Sequence, residues 1–456
     1  MNTQELEATA KALVVPGKGI LAADESLPTI EKRFKSVGVP STEETRRAYR
    51  ETLFTTPGLG EFISGVILFD ETIRQNASYT APFVEVLRRQ GIILGIKVDK
   101  GAKPLAGFPG EKITEGLDGL RDRLAEYKRL GARFTKWRAV ITIGANIPSL
   151  ACLEANAHAL ARFAALSQEA GLVPVVEPEV LMEGDHTIKR HFEVTEAVLK
   201  AVFQSLFEQR VRLEAMLLKP NMVLAGKDCP RQATVAEVAE ATLRCLKRAV
   251  PAAVPGVVFL SGGQSDVQAT EHLNALNDLE RTPWELSFSF GRALQAPAVN
   301  AWQGDPENVP AAQHALVDGS PESEQAVRET ASRTWPSGTE IRVLTVIDPK
   351  LEVGAALSGS LARPWLQEHF QGAKEGISAM TIKLAESLRT KGRAAEPHIF
   401  EGDPKKVLLR EAESWDADCI FLGARGLDHG GRWLLGSVAS AVASRAHCSV
   451  EIVRPS

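Results

Sequence analysis

Lys219 is the residue whose position most directly points to chemistry. It ends the apolar run Ala215-Met216-Leu217-Leu218 and is followed at once by Pro220 and Asn221. Such a run predicts a buried strand with the lysine at its carboxyl end. An ammonium group there loses its hydration, so it needs a partner charge, an exit to solvent or a chemical role. A neutral lysine amine can attack a ketone to form a Schiff base, whereas a charged one would belong to a structural ion pair.

Charged side chains end or interrupt several other apolar runs in the same way. They are Asp24, Lys97, Lys136, Arg138, Glu177, Glu179 and Arg292. Because side chains alternate along a strand, Lys136 and Arg138 share one face of their strand, and Glu177 and Glu179 share one face of theirs. The two cations, placed near Lys219, would favour its neutral form. Convergence of so many charges favours a functional cluster over a structural ion network.

Aldol cleavage of a ketose is the chemistry that these residue types support. Lys219 would form the Schiff base, and Glu177 and Glu179 are candidates for the acid that dehydrates the carbinolamine. Asp24, arriving from the opposite side, would accept a hydroxyl proton during carbon–carbon cleavage. The iminium is then the electron sink, so neither a metal nor another cofactor is expected for catalysis. The nine histidines form no HxH or HExxH pattern at a predicted strand end.

Eight short apolar runs predict eight strands, and the segments between them, such as 154–170 and 233–250, have helical spacing. The predicted strands are 19–24, 66–70, 94–99, 134–139, 173–179, 215–221, 256–263 and 286–293. Eight β/α repeats predict an α/β fold of the (β/α)8 TIM barrel type. In that fold the functional side chains lie at the carboxyl ends of the strands, which is where these charges occur.

Two segments predict phosphate binding. Ser261-Gly262-Gly263 ends the seventh predicted strand, and Ser289-Phe290-Gly291-Arg292 ends the eighth. Together they offer backbone N–H groups, hydroxyls and a guanidinium at the place where barrels commonly bind phosphate. A Gly-Gly pair alone would indicate only a turn, but Arg292 on the neighbouring strand favours phosphate. Arg33, one or two helical turns beyond Asp24, is a candidate for a second phosphate.

Composition limits the classes of function. With 456 residues, 44% of them hydrophobic and 24% charged, the chain has an ordinary globular composition and a length that predicts two domains. A net charge of -4 gives no sign of nucleic-acid binding. The five cysteines lack metal-finger spacing and the amino terminus lacks a signal sequence, so we expect a cytoplasmic protein without disulfides or structural zinc. No apolar stretch is long enough to cross a bilayer, so no membrane partner is expected.

Between residues 3 and 313 the chain contains, in this order, the blocks GKGILAADES, GVILFDET, GIKVDKG, KWRAV, LLKPNMV, FLSGGQS and SFGRALQ. Together these blocks resemble the class I (Schiff-base) fructose-1,6-bisphosphate aldolases of animals and plants. The resemblance implies that residues 1–313 form an aldolase barrel. The implied reaction is reversible cleavage of fructose 1,6-bisphosphate to dihydroxyacetone phosphate and glyceraldehyde 3-phosphate.

The resemblance also implies roles for matching positions in this chain. It makes Lys219 the Schiff-base lysine, Glu177 the acid and base that transfers protons, and Asp24 an aid to carbon–carbon cleavage. The residues implied to orient the substrate and tune charge are Lys97, Lys136, Arg138 and Glu179. Those implied to contact the two phosphates are Ser26, Arg33, Ser261, Gly262, Ser289 and Arg292, with Gly263 and Gly291 in the same segments.

Two departures from the family pattern affect these expectations. Leu27-Pro28-Thr29 stands where the family often has Thr-Gly-Ser, so a hydroxyl near the phosphate is changed and the turn is stiffer. Family members end in a mobile tail whose terminal tyrosine takes part in proton exchange at the enamine. The tyrosines of this chain are Tyr49, Tyr79 and Tyr127. We therefore expect slow turnover, or delivery of that proton by another group.

Residues 314–456 predict a second α/β domain. Residues 314–320 predict a strand, a turn and the start of a helix, and residues 341–348 predict a further strand. A predicted helix follows Pro404, and the strand 419–422 leads to Gly423-x2-Gly426-x9-Gly436-Ser437 before a last helix. These glycines let a polyphosphate approach the backbone, and the helix N-terminus offers N–H groups to it.

This second pattern resembles the universal stress protein family, including its ATP-binding motif. The resemblance implies a small, doubly wound, Rossmann-like domain that binds ATP and often dimerises, so a homo-oligomer is expected. It implies that Asp318 and Val346 meet the nucleoside. The residues implied for the phosphate loop are Gly423, Gly426, Gly436 and Ser437.

The sequence thus predicts an aldolase fused to a module that senses ATP or drives assembly. One alternative is a Schiff-base aldolase for another ketose bisphosphate, for example a seven-carbon sugar. The other is an inactive barrel that serves as a platform for the nucleotide-binding module.

Overall fold

The computed structural model describes residues 3–78, 81–317, 338–347, 388–423 and 437–453, with short pieces between 326 and 336 and between 381 and 386. The chain folds into two compact units. One comprises Met1–Thr55 with Leu59–Ala296, and the other Thr56–Gly58 with Pro297–Ser456. The boundary between residues 313 and 314 stays a prediction.

The strands described in the first unit are β1 (Gly19–Ala23), β2 (Ile63–Leu68), β3 (Ile93–Lys97), β4 (Ala102–Pro104), β5 (Lys112–Thr114), β6 (Phe134–Ile141), β7 (Val173–Val180), β8 (Leu217–Leu218), β9 (Gly256–Phe259) and β10 (Glu285–Phe290). Eight of them are parallel and close into a barrel in the order β1-β10-β9-β8-β7-β6-β3-β2, which confirms the predicted TIM barrel. The other two, β4 and β5, form a separate antiparallel pair in the connection after β3.

One helix precedes the first barrel strand, and the other helices of this unit follow or connect the strands. In chain order, these helices are α1 (Thr3–Leu13), α2 (Leu27–Lys35), α3 (Glu43–Phe54), α4 (Leu59–Phe62), α5 (Asp70–Ile73), α6 (Phe83–Arg89), α7 (Leu120–Arg129), α8 (Leu150–Glu169), α9 (Ile188–Glu208), α10 (Val235–Ala249), α11 (Asp266–Leu279) and α12 (Arg292–Trp302). The predicted helical segments 154–170 and 233–250 correspond to α8 and α10. Thr234 caps α10 reciprocally with Glu237, because each side chain accepts the other residue's backbone N–H.

The inward side chains change from apolar to charged along the barrel strands. On β7 the residues Val173 and Val175 precede Glu177 and Glu179 at alternate positions, and all are buried. The apolar residues at the strand starts form one cluster with α1, to which the helix contributes Leu6, Ala10 and Leu13. Burying such side chains is the main source of stability, at about 1.5–3 kcal/mol each. The fold is therefore stabilised at the amino-terminal end of the barrel, and the charges collect at the carboxyl end.

Gly95 in β3 makes room for an aromatic ring inside the barrel. A Cβ atom at this position would lie 2.2 Å from the ring of Phe134 on the adjacent strand β6. Any side chain at residue 95 would therefore displace Phe134, which is fully buried. This glycine is required by packing, since its backbone conformation is not left-handed.

The second unit contains two pairs of parallel strands among its described residues. They are β11 (Glu340–Ile347) with β12 (Ala394–Glu401), and β13 (Cys419–Gly423) with β14 (Ser449–Val453). Its helices include α13 (Val309–Val317), α14 (Pro404–Ser414) and α15 (Ser437–Arg445). The strands predicted at 341–348 and 419–422 correspond to β11 and β13, although Asp348 lies outside the described residues.

The strand predicted at the start of residues 314–320 is wrong, because residues 314–317 form the end of α13. Ala312 and Leu316 are both buried and are four residues apart, so a helix places them on one apolar face. Residues 318–320, predicted as a turn and the start of a helix, lie outside the described residues. In the barrel, the strand predicted at 215–221 is shorter than expected, and Leu213–Ala215 is a 3-10 helix.

Candidate active site

Asp24, Lys136, Glu177 and Lys219 form a buried cluster, here called the central cluster: Asp24 and Lys219 directly follow β1 and β8, and Lys136 and Glu177 lie within β6 and β7. Lys136 Nζ lies 2.5 Å from Asp24 Oδ2 and 3.2 Å from Glu177 Oε2. The other oxygen of that carboxylate, Glu177 Oε1, lies 3.3 Å from Lys219 Nζ. The four predicted residues therefore make one continuous chain of charges that begins at Asp24 and ends at Lys219.

Backbone hydrogen bonds hold Lys219 in place although β8 is short. Its N–H donates to Val176 O at 2.8 Å, which continues the pairing of β7 with β8. Two residues later, the side-chain oxygen of Asn221 accepts the N–H of Val180 at 2.8 Å. The lysine thus starts from a fixed backbone position, and only its side chain is free to reach a substrate.

The two buried lysines of the central cluster have opposite pKa shifts. Burial lowers the pKa of Lys219; Glu177 opposes this effect and the Lys136 charge adds to it, so the pKa lies below its ordinary value. Burial also disfavours the charged form of Lys136, but Asp24, Glu177 and Asp99 outweigh it and raise the pKa of Lys136. Lys136 is therefore a permanent ammonium, and Lys219 is the amine that loses its proton more easily.

Both carboxylates of the central cluster stay ionised near neutral pH. Burial alone would raise the pKa of Asp24 and that of Glu177, but the charges of Lys136 and then Lys219 outweigh burial and lower both pKa values. Each carboxylate can therefore accept a proton. Before Glu177 can donate one, it must first take it up, and Lys219 Nζ at 3.3 Å is a nearby source.

Lys97 ends β3, and Arg138 and Glu179 lie two residues beyond Lys136 and Glu177 on β6 and β7. Arg138 Nε donates to Glu179 Oε2, and 44% of the Arg138 side chain is exposed. Lys97 Nζ lies 3.4 Å from Asp99 Oδ1, and Asp99 Oδ2 accepts the backbone N–H of Arg138 at 3.2 Å. Asp99 was not predicted, although its spacing of two from Lys97 was a signal that it shares that residue's face.

A second buried cluster surrounds Glu25, which was also not predicted. Arg33 Nη1 and Arg50 Nη2 bind different oxygens of the Glu25 carboxylate. Gln295 Nε2 donates to Glu25 Oε1 at 2.8 Å, and Arg50 Nη1 donates to Gln295 Oε1 at 3.3 Å. Burial would raise the pKa of Glu25, but Arg50 and Arg33 outweigh burial and lower it. We call Glu25, Arg33, Arg50 and Gln295 the Glu25 cluster.

This arrangement brings Arg33 to the end of β10. A Cβ atom at Gly291 would lie 3.6 Å from Arg33 Nη2 and 3.3 Å from Ala22 O. Arg33 is therefore beside the predicted phosphate segment. Ser26 is the N-cap residue of α2, and its hydroxyl lies 3.0 Å from Thr29 Oγ1.

The two predicted phosphate segments lie on adjacent strands, because β9 pairs with β10. Gly262 and Gly263 have φ values of 51° and 86°, a left-handed turn that favours glycine. Ser289 is buried, and its hydroxyl has no hydrogen-bond partner within the described ranges. Arg292 Nη2 donates to Gln264 O at 2.5 Å, which places the guanidinium against the turn that follows Ser261.

Comparison with known protein families agrees with this geometry. The model of the family described as "Fructose-bisphosphate aldolase class-I" matches residues 5–340, which is most of the chain. The chain belongs to the class I fructose-bisphosphate aldolase family. It is therefore an enzyme of this family, whose class is defined by a lysine Schiff base and not by a metal.

Individual fructose-bisphosphate aldolases support the assignment. The chain is 62% identical over 305 residues to the probable fructose-bisphosphate aldolase class 1 of Xanthomonas campestris, which covers 67% of this chain and 91% of that relative. It is 55% identical over 311 residues to the aldolase of Dictyostelium discoideum, with coverage of 68% and 87%. A crystal structure of the Plasmodium falciparum aldolase with TRAP and an inhibitor has 50% identity and a TM-score of 0.68, and covers 69% of this chain and 91% of that one.

A universal stress protein family model matches residues 315–454, so the chain carries this domain after the aldolase barrel. Of the predicted nucleotide residues, Val346 lies in β11, Gly423 ends β13 and Ser437 begins α15. Asp318, Gly426 and Gly436 lie outside the described residues. The predicted nucleotide contacts therefore stay predictions.

Two further findings concern metals and membranes. Across the residues that the structure describes, His, Cys, Asp and Glu side chains form no group of three or more that could hold a metal ion. Each helix in the same part of the chain is too short or too polar to cross a lipid bilayer.

Proposed function

We propose that the barrel cleaves fructose 1,6-bisphosphate through a Schiff base on Lys219. The observation that carries this proposal is the buried Lys219 amine, whose pKa is lowered and whose nitrogen lies 3.3 Å from Glu177. A buried amine of this kind is activated as a nucleophile toward a carbonyl. The carboxylate beside it can take and return protons without leaving the site.

Schiff-base formation uses the Lys219–Glu177 pair. Lys219 first transfers a proton to Glu177, and the lone pair of its Nζ then attacks the C2 carbonyl. A proton lost from the nitrogen moves to the oxygen and gives a carbinolamine. Glu177, once protonated, donates to the hydroxyl group, which leaves as water while the nitrogen lone pair forms the C=N bond. Lys136 keeps its charge beside the same carboxylate and so favours its return to the ionised form.

Carbon–carbon cleavage needs a base on the other side of the substrate, and Asp24 is the candidate. It accepts the proton of the C4 hydroxyl, and the O–H electron pair forms the aldehyde of glyceraldehyde 3-phosphate. The electrons of the C3–C4 bond move to the iminium and give an enamine. Lys136, 2.5 Å from Asp24, holds that carboxylate ionised until the proton arrives.

The enamine carbon must then receive a proton before hydrolysis releases dihydroxyacetone phosphate. Tyr49 is buried and lies 3.4 Å from Gln295 O, and Tyr127 donates to Asp70 at 2.9 Å, so both hydroxyls are engaged elsewhere. Tyr79 lies outside the described residues. Glu177 is the carboxyl group in contact with Lys219, so we assign this proton to Glu177.

The substrate phosphates are assigned to the ends of β9, β10 and α2. One phosphate would bind at Ser261, Gly262, Gly263, Ser289, Gly291 and Arg292, and the second near Ser26 and Arg33. Lys97, Arg138 and Glu179 would orient the sugar hydroxyls between them. The Ser289 hydroxyl supports this assignment, since it has no hydrogen-bond partner among the described residues and a buried hydroxyl costs free energy unless a ligand completes its hydrogen bonds.

Reductive trapping tests the proposal. We expect borohydride added with dihydroxyacetone phosphate to attach one ketone to the full chain, and peptide mapping to locate it at Lys219. Lys219→Met should take up none, while Lys247→Met, at a half-exposed surface lysine, should be labelled like the wild type. If Lys219 is not labelled, the result would instead favour the alternative of an inactive barrel that serves as a platform for the nucleotide-binding module. Parallel assays with a seven-carbon ketose bisphosphate would reveal a different preferred substrate.

We also propose that the universal stress protein domain binds ATP, and that it senses ATP or drives assembly of a homo-oligomer in the cytoplasm. The family match at 315–454 supports this. Titration calorimetry of the full chain with ATP is expected to give saturable binding. Sedimentation and cleavage rates with and without ATP should differ. No binding heat, and no effect on either measurement, would reject the proposal.

A further inference from the structure

Lys227 lies in the loop after β8, and its backbone is rigidly held. The N–H groups of Gly226, Lys227 and Asp228 donate to His186 O, Met182 O and Gly184 O at 2.8, 2.8 and 2.9 Å. Gln232 Nε2 donates to Gly226 O at 2.9 Å from the other side. Two loops at the carboxyl end of the barrel, after β7 and after β8, are thereby joined into one unit.

The Lys227 side chain extends over the turn at Gly262 and Gly263, in the loop that follows β9. A Cβ atom at Gly263 would lie 3.2 Å from both Cε and Nζ of Lys227. The same atom would lie 2.8 Å from Met182 Sδ, so the loop after β7 also reaches this turn. The ammonium is therefore within a few ångströms of the backbone that we assign to a substrate phosphate.

The present partner of Lys227 is easily replaced. Lys227 Nζ lies 3.3 Å from Glu183 Oε1, and the side chains are 44% and 60% exposed. Exposed ion pairs of this type contribute little to stability, because water and salt screen both charges. A phosphate dianion, which carries more charge and is fixed by backbone N–H groups, would compete effectively for the ammonium.

Arg292 contacts the same turn through Gln264 O at 2.5 Å. The segment from Ser261 to Gln264 therefore has a guanidinium and an ammonium beside it, contributed by different loops. Two cations match the double charge of a phosphomonoester, which Arg292 alone would only half compensate. No pattern in the sequence indicates this role for Lys227, because it lies eight positions beyond Lys219 in a loop.

We propose that Lys227 exchanges Glu183 for the substrate phosphate bound at Ser261–Gly263, and so strengthens selection for ketoses that carry a phosphate at this end. This inference rests on the proposed aldolase function. Lys227 contributes to binding of the phosphate equally in the ground state and the transition state. Its removal therefore changes KM and leaves kcat nearly unchanged.

Steady-state cleavage of fructose 1,6-bisphosphate by full-length variants tests the inference. For Lys227→Met we expect KM to rise about 3- to 10-fold, since charge-assisted hydrogen bonds at partly exposed sites have this strength. The inhibition constant of inorganic phosphate should rise by a similar factor. Lys227→Arg should restore most of the affinity. Glu183→Gln, which frees the ammonium, should lower KM about twofold.

Lys247→Met is the matched control, because Lys247 also pairs with a glutamate and has 44% exposure, but lies on α10. We expect its KM to equal that of the wild type. The effect of Lys227→Met should shrink in high salt, since a salt-screened charge is responsible. If the wild type cleaves the substrate but the KM of Lys227→Met is within 1.5-fold of that of Lys247→Met, the inference is overturned. Absence of cleavage by the wild type would instead reject the proposed function.

Discussion

Asp24 and Glu25 are neighbours in the chain, yet they belong to two buried clusters of different composition. Asp24 joins the central cluster, whose two cations are lysines. Glu25 is bound by two arginines and a glutamine side chain. Both carboxylates have lowered pKa values, so burial and ionisation alone do not distinguish the clusters.

The identity of the cations accounts for the difference. A guanidinium does not lose its proton in proteins, and its fork geometry fixes a carboxylate. The Glu25 cluster can therefore position Arg33 but cannot transfer protons. An ammonium can lose its proton when it is buried, and of the two lysines in the central cluster only Lys219 has its pKa lowered. Lysine makes one cluster reactive, whereas arginine makes the other structural.

Lys219→Arg breaks this comparison most strongly. It keeps a cation at the strand end but removes the nucleophile, so we expect kcat to fall at least about a thousandfold. Initial rates and reductive trapping on the purified variant check this result. Circular dichroism and Lys219→Met serve as controls for folding. Activity within tenfold of the wild type would show that no covalent amine is needed.

Glu177→Gln tests how a neighbouring carboxylate tunes the reactive lysine. We expect kcat to fall roughly 100- to 10,000-fold, because the proton carrier is lost. The Glu177 charge raises the pKa of Lys219, so its removal should lower that pKa further. Labelling of Lys219 by a small aldehyde and cyanoborohydride should then reach half its maximum at a lower pH than in the wild type. A shift to higher pH would contradict the assigned electrostatics.

Glu25→Gln tests the structural cluster. Two guanidinium groups lose their counter-charge, so we expect the free energy of unfolding to fall by about 3 kcal/mol and KM to rise more than kcat falls. Because the pKa of Glu25 is lowered from 4.5 on folding, its stabilisation is complete above that value and is lost as pH falls through the folded pKa. Urea unfolding at pH 7 and at pH 4 should therefore give a larger difference between wild type and variant at pH 7.

The control for this prediction is Glu169→Gln, at a glutamate that pairs with Arg121 on the surface. We expect it to change the unfolding free energy much less than Glu25→Gln does, because both side chains of that pair are exposed. Equal losses of unfolding free energy in Glu25→Gln and Glu169→Gln would mean that burial does not increase the contribution of the Glu25 ion pairs to stability.

Arg50→Lys should have the smallest effect and sharpens the comparison by placing a lysine in the arginine cluster. The two guanidinium contacts with Glu25 and Gln295 are lost but the positive charge is kept, so we expect the unfolding free energy to fall by about 1–2 kcal/mol. Trapping at Lys219 should be unchanged. Thermal unfolding and the trapping assay measure the two effects. A change in trapping would mean that the clusters are coupled.

The barrel and the central cluster could be predicted because both follow from local patterns. Short apolar runs with a charge at the end indicate parallel strands, and closure of the barrel brings those ends together. Lys219, Glu177, Lys136 and Asp24 could therefore be assigned to one site before any contact was known. From the sequence, only the direction of the Lys219 pKa shift could be predicted, because the charge of Glu177 opposes the effect of burial on that pKa.

Residues that act through distant partners could not be predicted. Glu25 finds Arg50 on α3 and Gln295 on α12, and Lys227 meets Gly263 across two loops. No periodicity records such pairings. The strand predicted at the start of 314–320 failed for another reason: the run of three apolar residues at 315–317 fits a helix end as well as a strand.

The packing of α1 has a consequence for synthesis of the chain. Leu6, Ala10 and Leu13 share their apolar cluster with Val258 of β9, which the ribosome adds some 240 residues later. Until then the apolar face of α1 lacks part of its native packing partner and can associate with other exposed apolar segments. Closing so long a loop makes folding slow. We therefore expect the nascent protein to depend on chaperones until the ninth strand has left the exit tunnel.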